Sequence, residues 1–178
     1  MKSRATNDKK YPREVTLTYG TKILLPRQST FSDPWLKAHG CSLVAEFMAL
    51  QWLGLKTAKH WPIYLEEWHR ENTPEQVKAK VTVKGVAEGI NHYGKGKGSA
   101  VYSANVTAKR IETALNNGAL VIMERGNPIH TITLVKDGDD VYMLNAGTYR
   151  KTTPAAQAKR ATTSKRYRGM IIVRRANR

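Results

Sequence analysis

The chain has 178 residues, 40% apolar and 25% charged, and its 30 basic against 14 acidic side chains give a formal net charge of +16. That length and apolar fraction suit one domain with a sizeable core and exclude a disordered chain. The single cysteine, Cys41, excludes an internal disulfide framework and a multi-cysteine zinc site, and no apolar run reaches the length of a membrane span.

Val15 and Leu17 alternate with Thr16 and Thr18, which predicts a short early strand. Ile23-Leu24-Leu25 forms a second apolar run ending at Pro26, and a loop with Ser29, Thr30, Asp33 and Pro34 is expected after it. Over 41–53, Leu43, Val44, Phe47, Leu50 and Leu53 recur at three- and four-residue spacing, a helix with Gly54 as its stop. His39-Gly40 precedes it, which puts Cys41 in the first turn. Residues 60–71 fit a second amphipathic helix carrying Trp61, Tyr64, Leu65 and Trp68, and Thr73-Pro74-Glu75 is a helix start. A helix over 83–93 runs into GKGKGS (94–99), read as a mobile connection, and Val101-Tyr102 as a short strand. Thr107 caps a helix through Asn116, stopped by Asn117-Gly118.

The period then changes. Residues 120–123, 131–135 and 141–145 read as strands, with Asp137-Gly138 as a hairpin turn between the last two. TPAAQAKRA (153–161) reads as a helix and 170–173 as a final strand. Helices first and then a mostly antiparallel sheet predict a single α+β domain over 1–178, flanked by a basic segment at 1–20 and a basic helix and strand in 149–178.

Cys41 is the first candidate for chemistry. A thiol at a helix N-terminus feels the positive end of the helix dipole and unpaired N–H groups, which favour the thiolate. A lone helical cysteine can equally be a small buried residue. His130 opens a strand in PIHTITLV, and Asn145 follows across the hairpin in LNAGT. The turn at Asp137-Gly138 is expected to bring the two side by side, so that an amide orients an imidazole as the third member of a triad does. Taken singly, His130 is also a strand-end histidine and Asn145 a turn residue. Gln28 lies in the loop before Cys41, where a side-chain amide can join the Cys41 N–H in an oxyanion hole.

Together, Gln28, HGCSLVA (39–45), PIHTITLV (128–135) and YMLNAGT (142–148) resemble the papain-like cysteine peptidases. The closest branch is the peptidase domain that processes double-glycine leaders of bacteriocins, with its stand-alone bacterial relatives. The resemblance spans roughly residues 20–150. It implies a papain-like fold, with Cys41 as nucleophile, His130 as general base and then acid, Asn145 orienting the histidine, and Gln28 in the oxyanion hole. That branch more often has aspartate, commonly followed by proline, where this chain has Asn145-Ala146; asparagine is the papain-type residue. The implied substrate is a peptide or protein, no cofactor or metal is expected, and the implied setting is a bacterial cytoplasm, or the cell exterior after loss of a signal that MKSRATNDKK does not show.

The other histidines lack metal spacing, and GKGKGS lacks the phosphate-loop pattern. Trp35, Trp52, Trp61 and Trp68 read as core, with Trp35 also a candidate cleft wall and His39 a candidate substrate contact beside the nucleophile. The charge is uneven: residues 1–27 carry +5, 149–178 carry +10 and 28–148 only +1. A nearly neutral body between two basic ends leaves open a catalytically degenerate module that binds a polyanion through its termini. A Cys-His acyltransferase is the remaining alternative.

Overall fold

The computed structural model describes residues 13–30, 34–55, 82–126, 128–145, 147–164 and 168–176. The helix expected at 60–71 and the start at Thr73-Pro74-Glu75 lie outside these residues, as do most of the basic N-terminal segment, Trp61 and Trp68.

The two early apolar runs pair with each other. β1 (Arg13–Thr16) and β2 (Lys22–Leu25) form an antiparallel hairpin, closed by a turn in which Gly20 takes φ 84°. The segment read as loop is partly helical: a 3-10 turn at Gln28–Thr30 and α1 (Pro34–His39). Pro34 suits the first helical position, but six residues are too few to show a period, and Leu36 is the one fully buried side chain among them.

α2 (Cys41–Trp52) is buried from Ser42 to Trp52, so it is a central helix rather than a surface one. Its polar Gln51 is satisfied by the backbone of β2, accepting from Leu24 N–H at 2.9 Å and donating to the Leu24 carbonyl at 3.1 Å. α3 (Val83–Tyr93) and α4 (Ala108–Asn116) start where expected, with Thr82 and Thr107 accepting from the N–H groups of Gly85 and Arg110. α5 (Pro154–Ala158) is shorter than the 153–161 stretch read as helical and is capped by Thr153.

Six strands form the sheet: β3 (Gly98–Ser103), β4 (Leu120–Arg125), β5 (His130–Asp137), β6 (Asp140–Asn145), β7 (Thr148–Thr152) and β8 (Met170–Arg175). Their order is β3-β8-β4-β5-β6-β7, and every neighbouring pair is antiparallel. β3 begins inside the stretch read as a mobile connection. β7 escapes the sequence reading because Thr148-Tyr149-Arg150-Lys151-Thr152 is a polar edge strand with no buried face to impose alternation.

The sheet is covered on both faces. Leu120 and Ile122 pack with α2 and α3, while Val121 and Met123 pack with Ile111 and Leu115 of α4. Burial on two sides explains why 120–123 is apolar without a break. The architecture is thus α+β, with the sheet between two helical layers. Among the described residues no helix is long and apolar enough to cross a membrane.

Candidate active site

Cys41 is the first residue of α2, and Gly40 alone separates it from α1. Gly40 sits at the N-cap with no side chain to offer the first turn, and its own N–H bonds the Leu36 carbonyl at 2.8 Å. The start of α2 therefore carries no capping side-chain hydrogen bond. Below the helix lie β4 and β5.

His130 is the first residue of β5 and Asn145 the last of β6. His130 Nε2 lies 2.8 Å from Asn145 Oδ1. An amide oxygen only accepts, so Nε2 carries the proton and the remaining nitrogen, Nδ1, is the basic one. The imidazole also hydrogen-bonds Cys41. Cys41, His130 and Asn145, far apart in sequence, thus form one continuous chain of polar contacts.

Electrostatics favour a charged pair. Burial pushes the Cys41 thiol up, but the His130 hydrogen bond, the Thr131 N–H and hydroxyl, and the imidazolium charge outweigh it and leave the thiol below its ordinary value. His130 moves the other way. The Cys41 hydrogen bond raises it against the burial penalty, helped by the thiolate charge, the Asn145 bond and the Glu124 charge. Opposite shifts on two touching groups are what a thiolate–imidazolium pair requires.

A second layer lies behind the sulfur. Thr131 Oγ1 is 3.6 Å from Cys41 Sγ, 2.7 Å from Ser42 Oγ and donates to Glu124 Oε1 at 2.7 Å. Thr131 and Glu124 are cross-strand partners on β5 and β4, which places both on the face that α2 covers. Glu124 is 2% exposed, and burial pushes its carboxyl up to about 7 against the Thr131 hydrogen bond, the His130 charge and the Ser42 hydroxyl. Sequence reasoning missed this layer. The available signals were a glutamate ending the apolar run Leu120-Val121-Ile122-Met123 and hydroxyl residues directly after both Cys41 and His130.

The remaining predicted residues lie on the approach to the cysteine. Gln28 Nε2 donates to the Lys37 carbonyl at 2.8 Å, which ties the glutamine to the helix that leads into Cys41. A primary amide has a second N–H, so this bond leaves one donor over. Trp35 and His39 are both on α1, one turn apart, with ring centroids 5.3 Å apart; Trp35 is half-buried against the core and His39 is exposed. Comparison with protein-family models, with curated proteins and with solved structures returned no match.

Proposed function

We propose that the chain is a papain-like thiol hydrolase that cleaves a peptide or related amide bond. The observation that carries this reading is the hydrogen-bonded sequence Cys41–His130–Asn145, with the sulfur at a helix start and its pKa lowered by the histidine. In that mechanism the Cys41 thiolate attacks the amide carbon, and the carbonyl oxygen becomes an oxyanion. The Cys41 N–H and the second Gln28 Nε2 N–H are the donors assigned to it. His130 gives its Nδ1 proton to the departing amine, leaving a thioester on Cys41. It then takes a proton from water, whose oxygen attacks the thioester carbon and releases the acid. Asn145 holds the ring in the tautomer that both steps need.

The test is incubation with a mixed peptide pool, with new termini read by mass spectrometry, using Cys41→Ser and His130→Ala as controls. Hydrolysis lost in both variants is the expected result. Products carrying an added amine instead of water would convert the assignment to acyl transfer, and peptides untouched by the wild-type chain would count against either chemistry.

A separate observation favours a second reading, a polyanion-binding module. Arg125 Nη1 lies 3.8 Å from Met143 Sδ, Met143 pairs with Arg150, and the Gly126 N–H donates to the Arg160 carbonyl at 2.8 Å. Burial, followed by the like charges of Arg160 and Arg150, lowers the Arg125 pKa. Among the described residues no carboxylate pairs with any of the three. Binding here would weaken steeply with salt, fall on Arg150→Glu and ignore Cys41→Ser. Retention on heparin with these variants separates the two readings.

A further inference from the structure

The Thr131 hydroxyl has one proton and more neighbours than that proton can serve. Its oxygen is within reach of the Glu124 carboxyl, the Ser42 hydroxyl and the Cys41 sulfur. When Glu124 is ionised, the carboxylate takes the Thr131 proton, and the oxygen turns lone pairs toward the sulfur. It can then accept from a thiol S–H but has nothing to give a thiolate. When Glu124 is protonated, its own O–H donates to Thr131, and the Thr131 proton is free for the sulfur.

We propose that Glu124 is a positioning residue that selects the protonation state of Cys41 through the Thr131 hydroxyl: thiolate when Glu124 is neutral, thiol when it is charged. The inference deepens the hydrolase reading and rests on it for its biological meaning, though not for its test.

The surroundings leave few other groups able to set this state. β5 faces Glu124 with Thr131 and the charge of His130, and α2 faces it with Ser42 and, beyond Thr131, Cys41. The Glu124 main chain is held on both sides: its N–H donates to the Gly169 carbonyl at 3.4 Å, and its carbonyl accepts from Thr162 N–H at 3.2 Å. Oε2 is buried and makes no hydrogen bond, so a proton there would have no acceptor, whereas on Oε1 it faces the Thr131 hydroxyl. Burial places the titration of Glu124 near neutral pH, where such a selector acts.

The experiment measures the rate of Cys41 alkylation by iodoacetamide between pH 5 and 9, in the wild-type chain and in Glu124→Gln, Thr131→Val and Thr131→Ser. A glutamine amide donates to Thr131 at every pH and so mimics the protonated acid. Wild type and Glu124→Gln are expected to react alike below pH 6, with the variant roughly three- to tenfold faster at pH 8, a difference on the order of one pK unit or less. Thr131→Ser should keep the wild-type profile, while Thr131→Val should narrow the pH-8 gap when combined with Glu124→Gln. Parallel profiles for wild type and Glu124→Gln across the range would overturn the proposal. A merely structural glutamate would instead change the rate equally at all pH values. His130→Ala, run alongside, reports on the hydrolase reading by itself: unchanged neutral-pH reactivity there removes the ion pair and leaves the Glu124 result to stand or fall alone.

Discussion

His130 and Asn145 meet on a diagonal. The β5/β6 register runs from Asp137↔Asp140 to Thr133↔Leu144, and by extension it sets Asn145 level with Ile132, two residues along from His130. The 2.8 Å bond therefore reaches back across the strand pair instead of straight over. Diagonal neighbours on one face are within reach of long side chains, and the histidine is long enough. Losing the amide should release the ring. Asn145→Ala is expected to lower Cys41 alkylation at pH 7 by about tenfold, on the order of one pK unit of lost support for the imidazolium, while Asn145→Asp should retain reactivity and extend it to higher pH.

Glu124 also sets a pH dependence of stability. Its folded pKa, about 7, lies above the ordinary 4.5, so the folded chain holds a proton that the unfolded chain releases. Stability should fall as pH rises from about 4.5 to 7 and then level off, with a total cost of roughly 3 kcal/mol. Glu124→Gln removes the titration. Its unfolding midpoint should match wild type near pH 4.5 and exceed it at pH 8; a gap that does not change with pH would contradict this.

Asp137 ties the N-terminal hairpin to the sheet. One carboxylate oxygen accepts from both Thr18 N–H and Thr18 hydroxyl at 2.6 Å, and the other accepts from Tyr149 hydroxyl at 2.7 Å. Burial raises the Asp137 pKa, but these bonds more than reverse it, so the group is held below its ordinary value. The stabilisation it gives is present above the ordinary carboxylate range and lost on acidification through the folded pKa. Asp137→Ala should cost about 3 kcal/mol in urea denaturation at pH 7, since it strands donors that bonded a charged group, and less at pH 3.

Arg175 belongs to the basic C-terminal stretch yet works as a strut. Its guanidinium donates to the Trp52 carbonyl at 2.7 and 3.1 Å and to Thr21 Oγ1 at 2.8 Å, and lies 4.4 Å from the Trp52 ring. These partners are neutral, so salt should not weaken the contact. Arg175→Ala is expected to lower stability by about 2 kcal/mol equally at low and high ionic strength. A loss that vanishes in 1 M salt would assign Arg175 to long-range electrostatics instead.

Legibility in the sequence followed physical constraint. Thr107, Gly54 and Asp137-Gly138 marked real boundaries because caps and left-handed turns depend on local residue chemistry; Gly54 and Gly138 take φ 87° and 62°. The strand at 120–123 stood out because both faces are buried. α1 and β7 did not, being a one-and-a-half-turn helix and an exposed edge. For the site, Cys41, His130 and Asn145 carried position signals at a helix start, a strand start and a hairpin arm. Glu124, Thr131 and Ser42 came together through sheet register and helix placement, which no short motif encodes. A turn centred on Asp137-Gly138 would pair His130 directly with Asn145; the turn residues are Gly138 and Asp139, and that one-residue shift puts the pair on a diagonal.

β8 lies between β3 and β4, so the sheet is continuous only once Met170–Arg175 is in place. Before then β4, which carries Glu124, has one open side. In order of synthesis the cysteine emerges early, the histidine strand follows, and the strand that closes the sheet comes near the end of the described residues. A nascent chain consequently carries β3 and β4 as separate unpaired edges through most of translation, and the sheet becomes one piece only with its last hydrogen-bonded ladders.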